Sequence, residues 1–271
     1  MKTLAFAALV LLVSLPAAFA APARGGLSID QDVQAEENFL GVGLNTAVDW
    51  TIPLSLGSGP LLEPAFIRFT AKNSLSPSYE QAGIAVDIAP LAIVDVYVYA
   101  GGIYFYKALG FGFLSMGSYG DAATADVLDA LPQAEATGVT VQVKPTLKMQ
   151  LGPIVALDSV AFSWFVVNGG TGYYWDRSNH VILAATDVEI FNNAYLLYDI
   201  GSGFMAGLTD SNVFVPASSY DQNALYAIAL WKGAVAPGLD VSAALQAGWW
   251  LADTYLQGLR IAGQVGLVWR P

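Results

Sequence analysis

The sequence predicts an all-β chain folded as an up-and-down antiparallel transmembrane barrel of about twelve strands, with ten as the alternative count. Three observations carry this. Residues 139–151, VTVQVKPTLKMQL, place an apolar residue at every odd position and a polar one at every even position. That alternation sorts the two classes onto opposite faces of a strand, whereas a helix would scatter them around its circumference. The run exceeds the about 5 to 6 residues of an ordinary strand and covers the about 9 to 11 that a membrane-crossing strand needs. Charged residues make up only 12% of the 271 residues and hydrophobic ones 55%; the charged share is about half that of an average soluble domain. Lipid is therefore expected as part of the solvent. The third observation is an export signal, in which Lys2 is followed by an apolar run from Leu4 to Leu15, then Pro16 and the small-x-small site Ala18-Phe19-Ala20.

Cleavage after Ala20 divides the chain into a signal peptide, 1–20, and a barrel domain, 21–271. It removes Lys2 and takes the formal net charge from −11 to −12, which disfavours nucleic acid as a partner. The chain has no cysteine, in keeping with a cell envelope without structural disulfides. A helical membrane protein is disfavoured at a stretch that resembles a helical span, residues 82–106. That stretch carries Asp87, Pro90 and Asp95 and is rich in β-branched and aromatic residues, so it divides into two strands about a turn. A backbone in lipid must pair all its polar groups internally, so such strands imply a closed barrel.

Taken in chain order, an even strand count requires a short first strand near 27–33. The next alternates Leu40, Val42, Leu44, Thr46, Val48, Trp50 and Ile52 against Gly41, Gly43, Asn45, Ala47, Asp49 and Thr51. The pattern recurs in 139–151, in 239–250 from Leu239 to Trp250, and in the last segment from Leu259 to Trp269. Aromatics gather at strand ends at Trp50, Tyr104, Tyr106, Trp249, Trp250 and Trp269, as in the girdles of a lipid-facing barrel. Short connectors are expected near 56–61, 89–91, 151–154, 201–203 and 236–238. Longer ones are expected near 72–80, 108–137, 167–191, 209–222 and 252–257. Within 108–137 the Ala-rich DAATADVLDALPQAEA predicts a short helix ending near Pro132. This loop either folds over the mouth or forms a solvated hairpin tip. In 139–151, Pro145 has no amide proton for the ladder, so a bulge or a missing bond is expected beside it.

Through the signal, the alternating strands and the final strand LRIAGQVGLVW, the chain resembles the Gram-negative outer-membrane β-barrel class as a whole. The resemblance implies residence in the bacterial outer membrane, contact with its lipids and lipopolysaccharide, and insertion by the outer-membrane assembly machinery. Oligomeric state is left open.

The charges on the strands are the candidate functional residues. Alternation assigns Arg68, Lys144, Lys148, Arg260 and Arg270 to the inward face, together with Asp87, Asp95, Asp199 and Asp240. On the lipid side a midplane Arg or Lys would cost about 2 to 4 kcal/mol. Six of these charges are expected at similar depth near the short-turn end, with Lys148 beside Asp95 and Arg270 beside Asp240. Catalysis is not expected. Outer-membrane lipid hydrolases carry a His-x-Ser arrangement, but the one histidine, His180, is followed by Ile182 where the serine should stand, and His180 is expected at the surface. One histidine and no cysteine disfavour zinc. Asp30, Asp32, Glu36 and Glu37, or Asp121, Asp126 and Asp129, lack the spacing of a calcium loop. No cofactor or metal is expected. The first functional expectation is a small channel or diffusion pore for a modest solute. The alternative is a structural or adhesion barrel with a closed, ion-paired lumen, and a lipid hydrolase is a distant third.

Overall fold

A computed structural model describes residues 25–36, 41–57, 59, 61–107, 112–169, 172–253 and 258–271. The expected signal peptide and Leu40 lie outside the described residues. Twelve strands form one closed antiparallel wall. In chain order they are β1 (Gly26–Glu36), β2 (Gly41–Pro53), β3 (Phe66–Leu75), β4 (Tyr79–Leu91), β5 (Val94–Phe105), β8 (Ala136–Leu151), β9 (Ile154–Asn168), β12 (Thr186–Gly201), β13 (Phe204–Val215), β14 (Tyr220–Ala236), β15 (Leu239–Ala252) and β16 (Leu259–Trp269). Each pairs with its neighbour in that list, and β1 closes on β16 from Ile29 opposite Trp269 to Glu36 opposite Ala262. Two connectors carry the remaining elements. Between β5 and β8 lie β6 (Phe113–Met116), helix α1 (Ala125–Ala130) and β7 (Gln133–Ala134); between β9 and β12 lie β10 (Tyr173–Asp176) and β11 (Val181–Ala184).

The alternation seen in 139–151 sets the wall. On β8, Leu147 and Met149 are 60% and 54% exposed while Thr140 and Thr146 are 3% and 4% exposed, so hydrocarbon faces out and polar groups face in. Since the chain is free of cysteine, a cysteine at Val143 is expected to react with a lipid-soluble thiol reagent and one at Lys144 is not. The reverse labelling would refute this facing. Beside Pro145 the ladder to β9 passes from Val143–Phe162 to Thr146–Ser159 without a change of register, so the missing amide leaves a gap and no bulge. Polar residues interrupt the outer skin in places, and one such patch runs across four strands. Asp158, Asn192, Asp210, Asn212 and Asn223 share outward register positions across β9, β12, β13 and β14. Asn192 donates to Asp158 at 2.6 Å and Asn223 to Asp210 at 2.8 Å.

At one end the turns are short: 92–93, 152–153, 202–203 and 237–238. Ser202 and Gly203 both have positive φ, 54° and 79°, the backbone of a two-residue hairpin turn. A side chain at Gly203 would collide with the Lys232 carbonyl. Several expected connector lengths need correction. The connector at 54–65 is longer than expected, while 72–80 and 209–222 are mostly strand, their turns reduced to 76–78 and 216–219. The expected loop at 167–191 shrinks to 169–185 because β9 and β12 extend into it. In the last three, polar residues near strand ends still pair in the ladder, and polarity alone is a poor marker of where pairing stops.

A lidded chamber as the candidate functional site

The two long connectors meet at the opposite end in one small sheet, in the order β11-β10-β6-β7. Its alternation gives it two different faces. Phe113, Tyr174, Val181 and Leu183 pack on the inner wall against Phe105, Ala136, Val167, Val213 and Val215. The other face carries Leu114, Met116, Trp175 and Ile182, which pack with Ala123 and with Leu128 of α1. Inner wall, sheet and helix therefore form three layers. Phe113 stacks on Tyr174 at 5.5 Å, and Phe105 meets the edge of Phe113 at 5.4 Å. Tyr119 ties the lid to β12 by donating to Asp187 at 2.7 Å. Burial first, and that carboxylate next, push the Tyr119 phenol up. Of the connector expected at 108–137, the described residues 112–135 therefore fold over the mouth.

His180 is not at the surface. It occupies the turn between β10 and β11 with φ 56°, is 3% exposed, and lies 6.3 Å from the Trp175 ring. Ile182, where a hydrolase would place its serine, is buried in the lid's outer cluster, and Asp187 accepts from Tyr119 and from the Ala184 and Val188 amides.

Beneath the lid is a chamber of about 150 Å³. Its walls include Lys72 from β3, Gln81 from β4, Tyr97 and Tyr99 from β5, Gln142 from β8 and Ser163 from β9. Glu189 of β12 lines it at 2% exposure. Asn179 donates to Glu189 Oε1 at 2.7 Å, while Oε2 has no hydrogen-bond partner among the described residues. From the lid come Asp176, which accepts from the Ser178 amide at 3.0 Å, and Ser178 itself, whose hydroxyl donates to Tyr79. Burial pushes the Asp176 carboxyl up, against the pull of the Ser178 and Asn179 amides.

Six of the nine charges singled out from the sequence form three ion pairs. Lys148 pairs with Asp95. Arg270 meets Asp240 at 2.5 Å, and Arg68 lies 3.9 Å from Asp87 and 4.8 Å above the Phe66 ring. Asp95 is opposite Thr146 and Asp240 opposite Val268, so the first two pairs are diagonal, each cation two residues beyond the direct partner. Lys144 sits over the Tyr97 ring at 5.1 Å. Arg260 donates to the Tyr226 hydroxyl at 2.6 Å and stacks 4.8 Å from Trp250. Asp199 departs from the expectation. It lies exposed at the rim, where its carboxylate accepts from the Gly201 amide at 2.9 Å and stabilises the turn. Facing the charged wall, Val155, Leu197, Ile228, Leu230 and Ala244 form an apolar cluster inside the barrel, with Tyr195 and Met205 packed on it.

Lys72, Asp176, Asn179 and Glu189 were not among the expected site residues. Lys72 and Glu189 fall in segments expected as loops, 72–80 and 167–191. The available signal was parity: Lys72 continues the inward series Arg68, Thr70.

No family model matches the chain, and no curated protein matches it. Solved structures similar to it include the NanC porin, with 9% identity over 90% of this chain and 100% of that one and a TM-score of 0.43. The translocator domain of the autotransporter NalP from Neisseria meningitidis has 11% identity over 90% and 87%, with a TM-score of 0.48. The β domain of the Bordetella autotransporter Brka has 10% identity over 91% and 99%, with a TM-score of 0.46. The closed twelve-stranded antiparallel wall, hydrocarbon outside and charged within, gives the chain the architecture of the outer-membrane β-barrel class.

Proposed function

We propose that this protein is exported by its N-terminal signal, is inserted into the bacterial outer membrane by the assembly machinery, and passes a small polar solute through a lumen gated by the two-connector lid. The short turns then face the periplasm, and the lid faces outward among the lipopolysaccharide. The observation that carries this reading is the polar chamber under the lid. A barrel built only as a wall has no need of buried ionisable side chains lining a cavity, since each costs free energy to desolvate. Below the chamber the route follows the ion-paired wall past Lys144, Lys148 and Asp95, because the facing wall is filled by the apolar cluster around Val155 and Ile228.

The Ser178 hydroxyl and the Tyr79 phenol are 3.0 Å apart, joining lid to wall. Cysteines placed at these two positions and bridged by a bifunctional thiol reagent are expected to abolish conductance in planar bilayers, and cleavage of the bridge is expected to restore it. Absence of conductance in the wild type and in both states of the variant would favour the closed structural barrel instead.

A further inference from the structure

The chamber points to the chemical class of its occupant, an inference that rests on the gated-pore reading and deepens it. We propose that the chamber under the lid binds a small zwitterion, a molecule carrying one ammonium and one carboxylate on a short frame, as in a small amino acid.

A lysine and a glutamate face each other across the cavity without meeting. Lys72 projects from β3 and Glu189 from β12, strands five steps apart one way around the wall and seven the other. They are therefore close to diametrically opposed. Among the described residues Lys72 has no carboxylate within ion-pair distance. On the other side Glu189 is 2% exposed and its Oε2 lacks any hydrogen-bond partner among the described residues. Such an oxygen is costly to leave unmet. Asp176, 8% exposed, adds a second carboxyl on the lid side.

A lone cation would satisfy the Glu189 side and leave Lys72 unmet; a lone anion would do the reverse. An ammonium directed at Glu189 Oε2 with a carboxylate directed at Lys72 meets both at once. Neutral donors and acceptors fill the circuit between them: the phenols of Tyr97 and Tyr99, and the amides of Gln81 and Gln142. Size sets the upper bound. A cavity of about 150 Å³ accommodates a molecule of roughly six non-hydrogen atoms, the size of benzene. That admits glycine, alanine or β-alanine and excludes a disaccharide.

The test uses the full-length barrel folded in detergent micelles, titrated calorimetrically with β-alanine and, separately, with acetate, ethylamine and glycerol. Saturable binding is expected for β-alanine alone. Glu189→Gln and Lys72→Met each keep the side-chain volume, and each is expected to weaken that binding by about tenfold or more, as loss of a charge-assisted bond does. Retention of the heat-modifiable gel mobility shows that the variants are folded. Equal binding of ethylamine and β-alanine, or unchanged binding in folded Glu189→Gln, would overturn the zwitterion site. Binding without conductance would leave the site standing and remove the pore. Conductance with no preference for β-alanine and no effect of either substitution would leave the pore and remove the site.

Discussion

Lys148→Met is expected to destabilise the barrel by about 3 to 5 kcal/mol, the usual cost of stripping one partner from a buried ion pair. Asp95 is 7% exposed and takes its counter-charge from Lys148. The neighbouring Lys144 sits over the Tyr97 ring and acts on Asp95 only from beyond ion-pair distance, so the carboxylate loses its direct partner in a poorly solvated wall. The check is the urea midpoint of the folded barrel, followed by tryptophan fluorescence. Replacing both partners, Asp95→Leu with Lys148→Met, is expected to recover most of the loss, because the penalty lies in the widowed charge and not in the absence of the pair. A single variant as stable as the wild type would show that water reaches Asp95 and that this stretch of the lumen is open.

The second large effect concerns the lid. Leu183→Ala and Tyr174→Ala each remove side chains buried between lid and wall, at 0% and 2% exposure. Large-to-small changes of this kind cost about 2 to 5 kcal/mol each. Because both residues belong to connectors, the loss falls on the local opening of the lid and leaves the ladder pairing of the barrel untouched. The double variant is expected to conduct continuously in planar bilayers and to be cut by protease within the 106–135 connector, while keeping the heat-modifiable mobility of an intact barrel. Cleavage without added conductance would place the block lower, at the apolar cluster around Ile228, and would sink the lid as the gate.

Strand existence was legible because one-sided strands announce themselves: β2, β8, β15 and β16 alternate cleanly. The stretch SVAFSWFVV on β9 does not, being apolar on both faces. There Ala161 and Val167 pack inside while Phe162 and Trp164 face out, and only the pairing with β8 sets the parity. The same limit hid the outward aspartates. Asp158 and Asp210 break the rule that charges belong inside, and their facing follows from register with Leu147 and Leu225. The lid was half legible. Ala-rich composition gives α1, but the pairing of Tyr174 with Ser115 joins residues from separate connectors, and nothing local encodes it. The chamber is hidden for a related reason: Lys72 and Glu189 stand in the stretches 72–80 and 167–191, whose composition reads as loop although both residues lie on strands.

The seam between β1 and β16 bears on how the wall is made. Ile29 pairs with Trp269, 240 positions later in the chain, whereas all but two of the other joins link strands that are consecutive along the chain. Closing so large a ring is the entropically dearest contact in the molecule and among the slowest to form. Until it forms, β1 and β16 both present a row of unpaired amides and carbonyls, the surface through which strands of different chains adhere. The growing sheet has two sticky edges for most of its assembly and none at the end, so a factor that shields β1 until β16 arrives would govern yield more than any side chain within the wall.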